Sequence, residues 1–136
     1  MVVVDTNVLV YLLIEGDCTK RAQALYARDA DWQSDAFLLI EFSNVLATYV
    51  RSGGLTRAQA ESLLAEAGGR VRTTVNVAHP EALRVAGRFT VSAYDARFLA
   101  AARSLGGKLV TEDAKLRAAA PALTRSLEEA LDAFSP

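Results

Sequence analysis

The run VVV at residues 2–4, closed by Asp5, constrains this chain more than any other feature. Three β-branched residues in unbroken succession lack the alternation of a half-exposed strand. They predict a strand covered on both faces, and such strands belong to parallel sheets flanked by helices. In those sheets ligands bind beyond the carboxyl ends of the strands, which is where Asp5 stands.

The remaining pattern alternates helix and strand. Residues 37–51 are the most clearly helical, with apolar groups at 37, 38, 42, 45, 46 and 49 and a stop at Gly53 and Gly54. Helices are also predicted over 6–14, 19–30, 56–67, about 80–88 and 93–105, with Thr56 as a cap and the pairs Gly68, Gly69 and Gly106, Gly107 as terminators. A short helix before Pro121 and a last one over 127–134 complete the set. Strands are predicted over 1–4, 32–36, 71–77 and 108–111. The alternation predicts an α/β sandwich with a mainly parallel sheet. At 136 residues, 51% of them hydrophobic, one core and one domain over 1–136 are expected.

Several classes drop out. No apolar run approaches the roughly 20 residues that span a bilayer, and no export signal opens the chain, so a soluble, cytoplasmic protein with no membrane partner is expected. Cys18, the single cysteine, allows neither an internal disulfide nor a paired-cysteine metal site. Cys18 reads as a small residue before a helix, Trp32 as packing at a strand start, and His79, before Pro80, as an ordinary surface residue in a loop. Glycine pairs that follow helices are terminators rather than phosphate cradles. The net charge of −1 conceals a polarity: residues 1–50 carry 3 basic and 7 acidic groups, 51–108 carry 9 and 4, and 109–136 carry 3 and 5. Twelve of the 15 basic residues are arginine, whose planar fork suits phosphate, although a solvated, ion-paired helix surface also accounts for them.

Four acids stand where acids are costly. Asp5 ends the first strand and Asp113 follows the strand over 108–111. Glu41 lies mid-helix on the face of Phe37, Leu38 and Val45, and Asp95 precedes Phe98 and Leu99 by three and four residues. Each has a quieter reading. Asp5 and Asp113 can cap helices, Ser92 with Asp95 has capping-box spacing, and Glu41 can be a core glutamate bonded to backbone. Taken together the four repel one another, at about 4 kcal/mol for a pair roughly 4 Å apart at an effective dielectric near 20. A divalent cation resolves that repulsion, and an all-oxygen ligand set selects Mg²⁺ or Mn²⁺ over zinc. Such an ion serves phosphodiester hydrolysis by activating water, with no side-chain nucleophile.

The segments VVVDTN at 2–7, Glu41 within its helix, SAYDARFLAAA at 92–102 and LVTEDAKL at 109–116 together resemble the PIN-domain ribonucleases, in their order and approximate spacing over nearly the whole chain. The size resembles the VapC-type toxins of toxin–antitoxin pairs. The resemblance implies a three-layer α/β/α fold with five parallel strands. It implies a metal site of Asp5, Glu41, Asp95 and Asp113, supported by Thr6, Asn7 and Thr111. It also implies metal-dependent cleavage of RNA, a homodimer, and neutralisation by a small VapB-like antitoxin protein. Arg51, Arg72, Arg88 and Arg97 are candidates to line a phosphate track or to meet an acidic antitoxin segment, and Leu63, Leu64 and residues 37–42 are candidates for interface surface. A phosphotransfer enzyme of the haloacid dehalogenase type would carry an acid where Asn7 stands, and a receiver domain would need an acid pair near the start of the chain. A PIN-like domain that binds RNA or a partner without turnover is the alternative.

Overall fold

The structure is a computed structural model that describes residues 1–135; Pro136, the last residue of the expected domain, lies outside them. The VVV run forms strand β1 (Val2–Val4), with all three side chains buried. It lies at the centre of the sheet, between β2 (Trp32–Asp35) and β4 (Leu109–Val110), while β3 (Val71–Val75) and β5 (Thr124–Arg125) form the edges. The order is β3-β2-β1-β4-β5 and every pairing is parallel.

Helices α1 (Thr6–Leu13), α2 (Thr19–Arg28), α3 (Phe37–Arg51) and α4 (Arg57–Arg70) form the crossovers that lead to β2 and β3, and they pack on one another. Helices α5 (His79–Phe89) and α6 (Ala93–Ser104) carry the chain back across the sheet to β4, and α6 lies over β1, β2 and β4. Helix α7 (Ala114–Ala119) and a 3₁₀ turn (Pro121–Leu123) lead to β5, and α8 (Leu127–Asp132) returns to pack on α2. Because the direction of travel reverses after β3, right-handed crossovers place α5 and α6 opposite α1 to α4. The outcome is a three-layer α/β/α sandwich.

Several element ends lie one or two residues from the sequence reading, and four differences have a physical reason. Helix α4 continues through Gly68 and Gly69, because a glycine stops a helix only where it turns left-handed; Gly53 (φ 83°) and Gly106 (φ 73°) do so. His79 opens α5 instead of standing in a loop. Strand β3 ends at Val75, since the Val77 N–H donates to the side chain of Asp35 (2.8 Å). Strand β5, absent from the sequence reading, has two residues and no apolar run, and it exists through its register with Leu109 and Val110.

Candidate active site

The carboxyl ends of β1 and β4 open into one pocket, and all four singled-out acids line it. Asp5 follows β1, Asp113 follows β4, Glu41 faces in from α3 and Asp95 from the first turn of α6. The capping readings of Asp5 and Asp113 are also correct. Asp5 Oδ1 accepts from the Val8 N–H (3.1 Å) at the start of α1, and Asp113 Oδ1 from the Leu116 N–H (3.0 Å) at the start of α7. A carboxylate has about four acceptor positions, so a cap occupies one and leaves the others available. At α6 the cap is Ser92, whose Oγ accepts from the Asp95 N–H (3.0 Å).

The three polar neighbours of these acids have distinct tasks. The Thr111 hydroxyl donates to Asp5 Oδ2 (2.5 Å) and accepts from the Asp113 N–H (3.1 Å), so one buried residue orients two of the acids. The Thr6 hydroxyl donates to Glu41 Oε1 (2.6 Å), tying α1 to α3. Glu41 is thus satisfied by a side chain across the pocket rather than by backbone. Asn7 stands exposed at the pocket lip.

Burial pushes Asp5 from its ordinary 3.8 up to about 6; hydrogen bonds from Thr111 and Val8 oppose this, and the charges of Asp95 and Glu41 reinforce it. Asp95 is also raised, first by partial burial and then by the charge of Asp113. No basic side chain lines the pocket among the described residues. The donor set therefore suits a hard divalent cation in chemistry and in uncompensated charge. No three His, Cys, Asp or Glu side chains among the described residues are drawn together into a ready-made ion cage.

None of the four candidate arginines lines this pocket. Arg72 pairs with Asp31 (2.5 Å) at the amino end of β3, on the far rim of the sheet from the acids. Arg51 is at the last turn of α3 and donates to Thr48 (3.3 Å). Arg88 lies over the Phe89 ring (5.1 Å), in a shallow depression with Glu81 and Arg103. Arg97 is largely enclosed, donating to the Val77 carbonyl and approaching His79 Nδ1 (both 2.6 Å), with Asp35 at 3.9 Å.

Two contributors escaped the sequence reading. Asn44 lines the pocket one turn beyond Glu41, a spacing that could have revealed it. Asp35, fully buried at the end of β2, accepts from the Phe37 N–H and the Val77 N–H (2.8 Å each) and fixes where α3 begins. Its signal was an aspartate two residues before the first helical N–H, the pattern of an Asx turn.

Known proteins share this architecture. A crystal structure of PAE2754 from Pyrobaculum aerophilum superposes with a TM-score of 0.77 and 23% identity, covering 95% of this chain and 90% of that one, a likeness of fold. No curated protein matches the sequence. The family model described as PIN domain matches residues 2–121, from β1 to the turn after α7, so every acid of the pocket lies within the match. The chain belongs to the PIN domain family.

Proposed function

We propose that this chain is a divalent-metal-dependent endoribonuclease and the toxin of a toxin–antitoxin pair. The observation that carries the reading is the convergence of Asp5, Glu41, Asp95 and Asp113 from four separate segments on a pocket without a basic lining residue. Those four acids would hold the ion, and Mg²⁺ or Mn²⁺ supplies charge neutralisation at the phosphodiester and a more acidic water. The chain's own part is orientation and exclusion. Thr111 and Thr6 fix the carboxylates of Asp5 and Glu41, Asn7 and Asn44 present polar groups at the pocket wall, and buried Phe98 keeps one side of it dry. RNA as substrate, a small VapB-like antitoxin, a homodimer and a cytoplasmic setting belong to the same proposal and rest on the resemblance to the VapC-type toxins; no helix among the described residues is long and apolar enough to cross a membrane.

The test is cleavage of a structured RNA panel in Mg²⁺, in Mn²⁺ and in EDTA, beside Asp5→Asn and Asp95→Asn. Cleavage should require the metal and vanish in both variants. Cleavage that survives both, or stoichiometric RNA binding without turnover in Mn²⁺, overturns the proposal, the latter in favour of a binding domain. The support given by Thr111 has its own readout. Thr111→Val should weaken Mn²⁺ binding by about 10- to 100-fold, measured calorimetrically; an unchanged affinity would remove Thr111 from that role.

A further inference from the structure

Beside the acid pocket lies a second cleft of about 330 Å³, walled by Phe37, Ile40 and Tyr94, with Asn76 and His79 at its polar edge. Its surface is unusual for this molecule. Only three large apolar side chains among the described residues are more than half exposed, and two of them, Ile40 (65%) and Tyr94 (60%), stand in this cleft. The Tyr94 ring is not loose. It stacks on Phe37 with centroids 5.1 Å apart and planes within 6°, and Phe37 in turn rests against buried Phe98 at 6.3 Å. One face of Tyr94 is therefore covered and the other is open, on a platform whose ordering cost is met by the fold.

We infer that this cleft is a subsite for one unpaired nucleobase of the substrate, stacked on the open face of Tyr94 with its polar edge toward Asn76; the inference rests on the ribonuclease reading above. Continuity with the acids selects the occupant. Tyr94 directly precedes Asp95, Phe37 lies one helical turn before Glu41, and Phe98 belongs to the walls of both the stack and the acid pocket. A nucleotide whose base occupies the cleft thus presents its backbone to the carboxylates. A planar, uncharged ring with polar edges matches an aromatic floor rimmed by an amide and an imidazole. The cleft's one cation, Arg97, already contacts the Val77 carbonyl, His79 and Asp35, which leaves the base rather than the phosphate as the recognised group.

The probes are short single-stranded oligoadenylate, oligouridylate and an abasic chain of equal length, bound in Ca²⁺ to wild type, Tyr94→Ala and Tyr94→Phe. Wild type should prefer a base-bearing chain to the abasic one. Tyr94→Ala should lose roughly 5- to 100-fold in affinity for the base-bearing chain alone, and Tyr94→Phe should retain it. The subsite is overturned if wild type holds the abasic chain equally well, if Tyr94→Ala binds every chain as wild type does, or if that variant changes only self-association. Because binding is read without turnover, these outcomes are independent of the metal-dependent cleavage test. A protein that cleaves but ignores Tyr94 refutes the subsite alone.

Discussion

Asp5→Asn should raise the stability of the metal-free protein at neutral pH by about 3 kcal/mol, while abolishing the proposed activity. Burial, reinforced by Asp95 and Glu41, lifts the Asp5 carboxyl from 3.8 to about 6 in the folded state. Below pH 3.8 the group is protonated whether the chain is folded or not, and folding bears no charge cost. As the pH rises toward 6 the unfolded chain loses its proton before the folded one does, so wild-type stability falls through this window and stays reduced above it. Asparagine is neutral throughout. It retains the cap on Val8, since asparagine and aspartate serve equally well there, and its amide can donate to the Thr111 oxygen. Melting in EDTA at pH 8 should place the variant roughly 10 °C above wild type, with the gap closing near pH 4. Added Mn²⁺ should stabilise only the wild type, nearly closing the gap at an ion concentration of about 100 times its dissociation constant (about 2.7 kcal/mol) and reversing the order at about 1,000 times (about 4.1 kcal/mol). Equal melting temperatures in EDTA at pH 8 would mean that the buried charge carries no such cost.

Much of the sheet was legible because its central strand writes its environment into its composition. A run of three valines with no polar alternate has only one stable setting, and β1 takes it between β2 and β4. Edge strand β5 carried no comparable signal. Thr124 and Arg125 are strand residues because Leu109 and Val110 offer them a register, a long-range fact that no local window holds. The glycine pairs divide in the same way. Gly53 and Gly106 turn left-handed after their helices, whereas α4 runs on through Gly68 and Gly69 until Val71 is drawn into pairing with Trp32. Glycine permits a stop, and tertiary pairing decides whether one occurs.

The four acids were legible because each violates its surroundings: Glu41 inside an apolar helix face, Asp95 ahead of Phe98 and Leu99, Asp5 and Asp113 at strand ends. What the chain could not reveal alone was that capping and pocket-lining are compatible, since that depends on which carboxylate oxygen points where. The arginines were less legible for a physical reason. A cation's partner is chosen in three dimensions, and Arg72 finds Asp31 across 41 positions of sequence while Arg97 finds the Val77 carbonyl across 20. Composition located a basic middle; the fold disperses it over opposite ends of the sheet.

Asp35→Ala should be among the most damaging single substitutions outside the acid pocket, at about 3–5 kcal/mol in urea unfolding. Asp35 is fully buried, and its two oxygens receive the Phe37 and Val77 N–H groups, so alanine leaves two interior donors without partners. It also deprives Arg97, whose side chain is only 13% exposed, of the one carboxylate within 4 Å of it among the described residues. Arg97→Met keeps both N–H bonds and much of the apolar stem, and should therefore cost less than Asp35→Ala. That ordering separates a hub built on backbone donors from one built on the ion pair; the reverse order would assign the stabilisation to Arg97. The position of Asp35 gives the loss a functional reach. By fixing the start of α3 and holding Arg97 on α6, it sets the relative placement of the two helices that carry Glu41 and Asp95, though it lines no part of their pocket. Where Asp35→Ala still folds, Mn²⁺ binding should weaken along with stability, because the carboxylates then meet the ion from helices no longer held in register.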